Sequence, residues 1–153
     1  MSEKLPVDWE VGDAYAVRTF KAVDGKLESV TQRGGHWEDG VCIATCVVDP
    51  EHVAPVDDCT CGVYAWWTVE KLLEQYPDAE QMVAIIRMGG EIIEADNGVK
   101  AGEAQIVAWW CADDATELIE ACQVSASGAR RFFDRDVMAT IYPPPAERRN
   151  SHG

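Results

Sequence analysis

The sequence is poor in positive charge: 13 Lys and Arg stand against 27 Asp and Glu, for a formal net charge of −14. Nucleic-acid phosphates are held chiefly by basic side chains that displace counterions, so this balance argues against direct DNA or RNA binding. Two uses remain for the acidic surface, a solubilising coat or a face that docks on a basic partner. No run of 18 or more apolar residues occurs, so no segment reads as a membrane-spanning helix. Residues 1–9 lack the charged-then-apolar layout of a secretory signal, and the expected location is the cytoplasm. The C-x-x-C pair of common zinc knuckles is missing too. His36-Trp37-Glu38 matches the H-x-E of zinc deaminases, but their downstream P-C-x-x-C is absent, which excludes that chemistry.

Of what is present, apolar residues make up 47% and charged residues 26%, an ordinary globular balance that argues against disorder over the whole length. A chain of 153 residues is long enough to bury roughly 68–70% of its unfolded surface in one core. A single domain is expected over residues 1–142, with a proline-rich flexible tail over 143–153 that has no apolar periodicity.

Six cysteines in a chain of this size without an export signal read as reduced thiols rather than as a disulfide framework. Four of them lie between Cys42 and Cys61, whereas Cys111 and Cys122 read as small buried apolar residues. Cys46, His52, Cys59 and Cys61 fall within sixteen residues, spaced by Pro50, Pro55 and the Asp57-Asp58 pair. Three thiolates and one imidazole are a closed donor set for structural zinc, with no position left for a catalytic water. Along an extended strand Cys59 and Cys61 would sit about 6.6 Å apart, while two thiolates on one zinc have sulfurs within roughly 4 Å. The chain must bend there, and Gly62 supplies the freedom to do so. Cys42 in place of His52 is an alternative set, since Cys42 and Cys46 are four apart, on one face if that stretch is helical. Asp57 and Asp58 beside the metal loop form a candidate docking face.

The pattern Ala44-x-Cys46, His52-x-Ala54-Pro55, Cys59-x-Cys61-Gly62-x-Tyr64-Ala65 resembles a family of small uncharacterised proteins from actinobacteria and their phages. Its motif has the form C…H-x-A-P…C-x-C-G-x-Y-A before a strand pair, and the resemblance covers roughly residues 15–110. It implies the same four zinc ligands and a phage-encoded accessory or host-modulating setting. This chain departs from the family at Lys100, where an arginine is usual, and at Gly102, where an acidic residue is usual.

Alternating segments on either side of Asp24-Gly25 predict a hairpin with strands at 14–23 and 26–32. Residues 41–44 fit a short strand or a first helical turn equally well. Thr68 is placed to cap a short helix that Pro77-Asp78 ends, with Val69, Leu72, Leu73 and Tyr76 forming its apolar stripe. Residues 82–88, 91–95 and 99–108 read as strands, bent at Gly89-Gly90 and turned at Asn97-Gly98. Asp113-Asp114 is expected to cap a helix over 115–123, and 137–142 to form a last strand. Arg130, Arg131 and Arg135 are the one basic cluster before the tail and either offset local carboxylates or bind phosphate. The pairs Trp66-Trp67 and Trp109-Trp110 should each send neighbouring indoles to opposite faces, one inward and one outward. The outward rings would form a stacking wall or pack beneath a helix.

Together these readings predict an α+β fold, a bent and mostly antiparallel sheet or partly open barrel with two flanking helices and a zinc-tied loop. The function expected is zinc-stabilised binding of a protein partner. A tryptophan-lined barrel for a small ligand or modified base is the alternative, and a zinc hydrolase the third, since it needs an open coordination position.

Overall fold

The computed structural model describes residues 3–5, 14–30, 40–43, 63–94 and 98–143. The chain adopts the expected α+β class around a bent, largely antiparallel sheet. Its spine is one long hairpin, β7 (Met82–Glu94) against β8 (Gly98–Cys111). The ladder slips between Ile85 and Ile86 and again between Gly89 and Ile92, so the bend expected at Gly89-Gly90 is there. β1 (Glu3–Leu5) pairs with the far end of β7, and β2 (Ala14–Arg18) with its first half. β5 (Val41–Ile43) and β6 (Val63–Trp66) both pair with β8, which resolves residues 41–43 as strand. A single β2–β6 pair, Val17 with Trp66, links the two sides of the hairpin, so the sheet curls towards a barrel without closing cleanly.

The strand expected over 14–23 is broken at Thr19. β2 stays in the main sheet, while β3 (Phe20–Val23) leaves it to form a separate ribbon with β4 (Lys26–Ser29). Thr19 anchors the break by donating its hydroxyl to the Met82 carbonyl at 2.7 Å in a buried position. The Asp24-Gly25 turn carries φ of 52° and 79°, the two positive values that the tight hairpin turn requires.

Both faces of the sheet are covered, which explains the unbroken apolar run Met82-Val-Ala-Ile-Ile. Met82, Ala84, Ile86 and Met88 point into one core with Phe20, Trp109 and Cys122. Val83 and Ile85 point into a second with Leu72, Phe132 and Met138. α1 (Val69–Gln75) packs on the second face, and Thr68 Oγ1 accepts from the Lys71 amide at its start, as expected. A 3₁₀ turn, Pro77–Glu80, follows directly.

Two expectations for the last third are corrected. α2 (Thr116–Ser125) begins from Ala115, which offers no capping side chain, because Asp113-Asp114 are spent in the turn out of β8. Residues 135–141 are helix rather than strand: α3 (Arg135–Ile141) starts from Asp134, whose carboxylate accepts from the amides of Asp136 and Val137 at 2.9 and 3.1 Å. Val137, Thr140 and Ile141 are β-branched and imitate a strand, but an N-cap and the buried Met138 outweigh that weak preference. Among the described residues three α-helices therefore flank the sheet where two were expected. Between α2 and α3, β9 (Arg130–Phe132) runs parallel to β8, setting Arg131 beside Trp109.

Candidate functional site

The residues that sequence spacing nominates as zinc ligands, Cys46, His52, Cys59 and Cys61, lie outside the described residues, as do Asp57 and Asp58. Cys42, the alternative ligand, is fully buried on β5 opposite Ala104. Among the described residues no group of three or more His, Cys, Asp or Glu is placed to hold a metal.

The tryptophans are placed by the two-sided cover of the sheet. Alternation sends Trp109 into the first core and Trp110 towards the second. Trp66 packs against the second core and meets Tyr76 edge-on at 5.2 Å, while Trp67 packs against the first. Each pair thus divides between the faces, as strand geometry demands, but both directions end in protein. Trp109 is 3% exposed and the other three are half-buried.

A different surface gathers the functional chemistry. Asp134 fixes the entry to α3, Met138 anchors that helix to the sheet, and the apolar Val137 and Ile141 flanking Met138 are exposed. Val137 and Ile141, four apart, share one side of α3, and Phe133 stands just before the cap of that helix. Phe133, Val137 and Ile141 are 75%, 49% and 45% exposed. Arg131 borders Phe133 on the Trp109 side of β8, while Arg130 and Arg135 lie by Phe132 and Trp110 on the other side. The Arg131 guanidinium lies 5.1 Å from the Trp109 ring and 4.5 Å from the Phe133 ring. Arg130 covers Phe132 at 4.4 Å, and Arg135 covers Trp110 at 5.4 Å.

Among the described residues none of these arginines makes an ion pair, and the buried Nε of Arg135 has no hydrogen-bond partner. Each guanidinium lies over an aromatic ring instead, an arrangement suited to its weak hydration. In a chain with a large acidic excess, three uncommitted cations stand apart from the surrounding charge. The sequence displayed the basic cluster with Phe132 and Phe133 beside it, but the partners Trp109 and Trp110 come from β8 and could not be read from spacing.

A second feature is an open groove of about 720 Å³ between the β3–β4 ribbon, the 3₁₀ turn and the start of α2. Phe20 and Pro77 contribute apolar wall, and Lys21, Asp78, Asp114 and Glu117 contribute charge. Among the described residues no tryptophan lines it. Among the described residues no helix is long and apolar enough to cross a membrane. No family model, curated protein or solved structure matches the chain.

Proposed function

We propose that the chain is a small zinc-stabilised binding protein of the cytoplasm whose partner is another protein, met through the β9–α3 face. The observation that carries this reading is the exposure of Phe133, Val137 and Ile141 at the start and along the flank of α3, with Arg131 over the Phe133 ring and, among the described residues, no ion pair made by Arg130, Arg131 or Arg135. Contiguous exposed apolar surface beside arginine and aromatic side chains is the composition of protein interfaces, where such residues carry most of the binding energy. Stacking fixes the guanidinium groups in advance, so less side-chain freedom is lost on docking. Charge complementarity defines the partner: a segment with an apolar side chain for Phe133, Val137 and Ile141 and carboxylates for Arg130, Arg131 and Arg135. The zinc loop rests on the Cys46, His52, Cys59 and Cys61 spacing, and a phage-encoded accessory or host-modulating role is the setting that the family resemblance implies.

The small-ligand reading draws on the groove beside Phe20, whose volume falls in the usual range for ligand sites. Its wide opening and, among the described residues, its lack of tryptophan make it the weaker of the two.

Affinity capture run in parallel with wild type, Phe133→Ser and Arg131→Glu tests the protein-binding reading. The expected result is a partner retained by wild type, lost by both variants, and bound more weakly as salt rises, because exposed charges are screened beyond about 8 Å at physiological ionic strength. Equal retention by all three proteins, with an affinity indifferent to salt, would remove this face from the account. Melting curves of the variants serve as the folding control.

A further inference from the structure

The chain leaves β8 at Cys111, reverses through Asp113-Asp114 and returns as α2, which brings Cys122 back against the strand end. The two sulfurs lie 3.8 Å apart in the first core, with Cys111 6% exposed and Cys122 fully buried. Nothing in the protein-binding reading uses them. The Cys122 thiol is pushed well up from its ordinary range, first by its hydrogen bond with Cys111, then by burial and by the charge of Cys111, while Arg131 pulls the other way. Cys122 is therefore the sulfur that keeps its proton.

We infer that Cys111 and Cys122 are a reversible disulfide site that fastens α2 to the end of β8. Sulfurs in a disulfide are about 2.05 Å apart, so closure requires them to approach by about 1.7 Å, within the reach of side-chain rotation. The oxidant class is a small hydroperoxide, because access to the pair is narrow. The Cys111 sulfur, the more exposed of the two, attacks the terminal peroxide oxygen. The O–O bond breaks, the leaving oxygen takes up the proton lost from Cys111, and Cys111 becomes a sulfenic acid. The Cys122 sulfur then displaces that hydroxyl, forming the S–S bond, and water departs with the Cys122 proton. In sum two thiols lose two electrons, and with hydrogen peroxide two waters are formed.

The bond has a structural consequence because α2 carries the β3–β4 ribbon. Ser125 Oγ accepts from the Leu27 amide at 3.1 Å, and Ala121, Cys122 and Ala126 are all buried beneath it. Tying Cys122 to Cys111 restricts the unfolded chain over a short loop, which raises Tm by roughly 5–10 °C for a domain of this size.

The test treats the full chain with hydrogen peroxide, alkylates remaining thiols and maps peptides without reduction. Cleavage after Glu117 is needed, since no Lys or Arg separates the two cysteines. The expected result is a pair of peptides joined through Cys111 and Cys122, released by a thiol reductant, with the rise in Tm present only while they are joined. Cys111→Ser and Cys122→Ser should each abolish the link and the rise. Alkyl label on both cysteines after oxidation overturns the inference, as does linkage of either one to a different cysteine. If a serine variant does not fold, the wild-type peptide map still decides.

Discussion

Gly98 and Ala65 approach each other across the β6–β8 pair so closely that a Cβ at position 98 would be driven into the Ala65 carbonyl oxygen. Gly25 offers the opposite case: it holds φ of +79° in the β3–β4 turn, and nothing lies within 4 Å of a Cβ built there. One glycine answers a need for space, the other a need for backbone conformation. Gly25→Ala should cost about 1–2 kcal/mol through left-handed strain, and Gly98→Ala about 1–3 kcal/mol or more through overpacking against backbone. Asparagine separates the causes, because it tolerates the left-handed region. Urea midpoints should recover in Gly25→Asn relative to Gly25→Ala, while Gly98→Asn stays as damaged as Gly98→Ala or worse. Recovery at both sites would contradict the steric assignment of Gly98.

That contrast also marks how far the sequence could be read. Asp24-Gly25, the Thr68 cap and the Gly89-Gly90 bend were legible because turns and caps depend on residues adjacent in the chain. The pairing of β7 with β8 was legible too, although Asn97 lies outside the described residues and Gly98 belongs to β8 itself, but the close approach of Ala65 depends on β6, more than thirty residues earlier. The break at Thr19 escaped for a similar reason, since its buried partner is the Met82 carbonyl. α3 was hidden behind three β-branched residues, although Asp134 offered a cap signal that the strand reading passed over. At the candidate site the arginine cluster was visible and its tryptophan partners on β8 were not. The nearness of Cys111 to Cys122 follows from a reversal whose packing no spacing rule supplies.

Asp134 should be the residue on which the order of α3 depends most. Its carboxylate satisfies two amides that the helix itself leaves without partners. Asp134→Ala is expected to cost about 0.5–2 kcal/mol, and Asp134→Asn much less, since the amide oxygen can also cap. Phe133→Ala, at an exposed position next door, should leave stability within about 0.5 kcal/mol while weakening partner binding. Denaturant titrations of the three variants check this. A loss in Phe133→Ala as large as that in Asp134→Ala would place Phe133 in the folded core and not on a docking face.

Arg18 gives a pH dependence with a definite sign. The side chain is 3% exposed, donates to the Tyr64 carbonyl and to Ser29 Oγ, and lies over the Phe20 ring at 5.2 Å. Burial lowers it from 12.5 to about 10, against smaller upward pulls from Cys42 and Tyr76. Below about pH 10 the group is charged in both folded and unfolded chains, so its desolvation cost is constant. Between about 10 and 12.5 the unfolded chain binds more protons than the folded one, and stability therefore rises with pH relative to a chain without this group. The stability difference between wild type and Arg18→Met should be flat from pH 7 to 9 and shift in favour of wild type above 10, as read from urea midpoints. A slope in the neutral range would assign the effect to another group.

The zinc expectation is tested by the molecule's metal content and by the response of individual cysteines. Three thiolates and an imidazole close together in sequence suit zinc, so about one zinc per chain is expected in a tag-free preparation. Structural zinc contributes roughly 10–16 kcal/mol in isolated finger peptides, comparable with the whole net stability of about 5–15 kcal/mol of an ordinary domain. Part of that energy orders the loop, so the net gain is smaller but still large. Cys59→Ser and Cys61→Ser should each lower Tm substantially and reduce bound zinc, whereas Cys111→Ser under reducing conditions should leave the metal in place and shift Tm much less. A strong chelator should lower the wild-type Tm towards that of Cys59→Ser and have little further effect on that variant. A metal-free folded protein with six titratable thiols would end the zinc reading, and equal Tm losses in all three serine variants would show that the ligands had been misassigned.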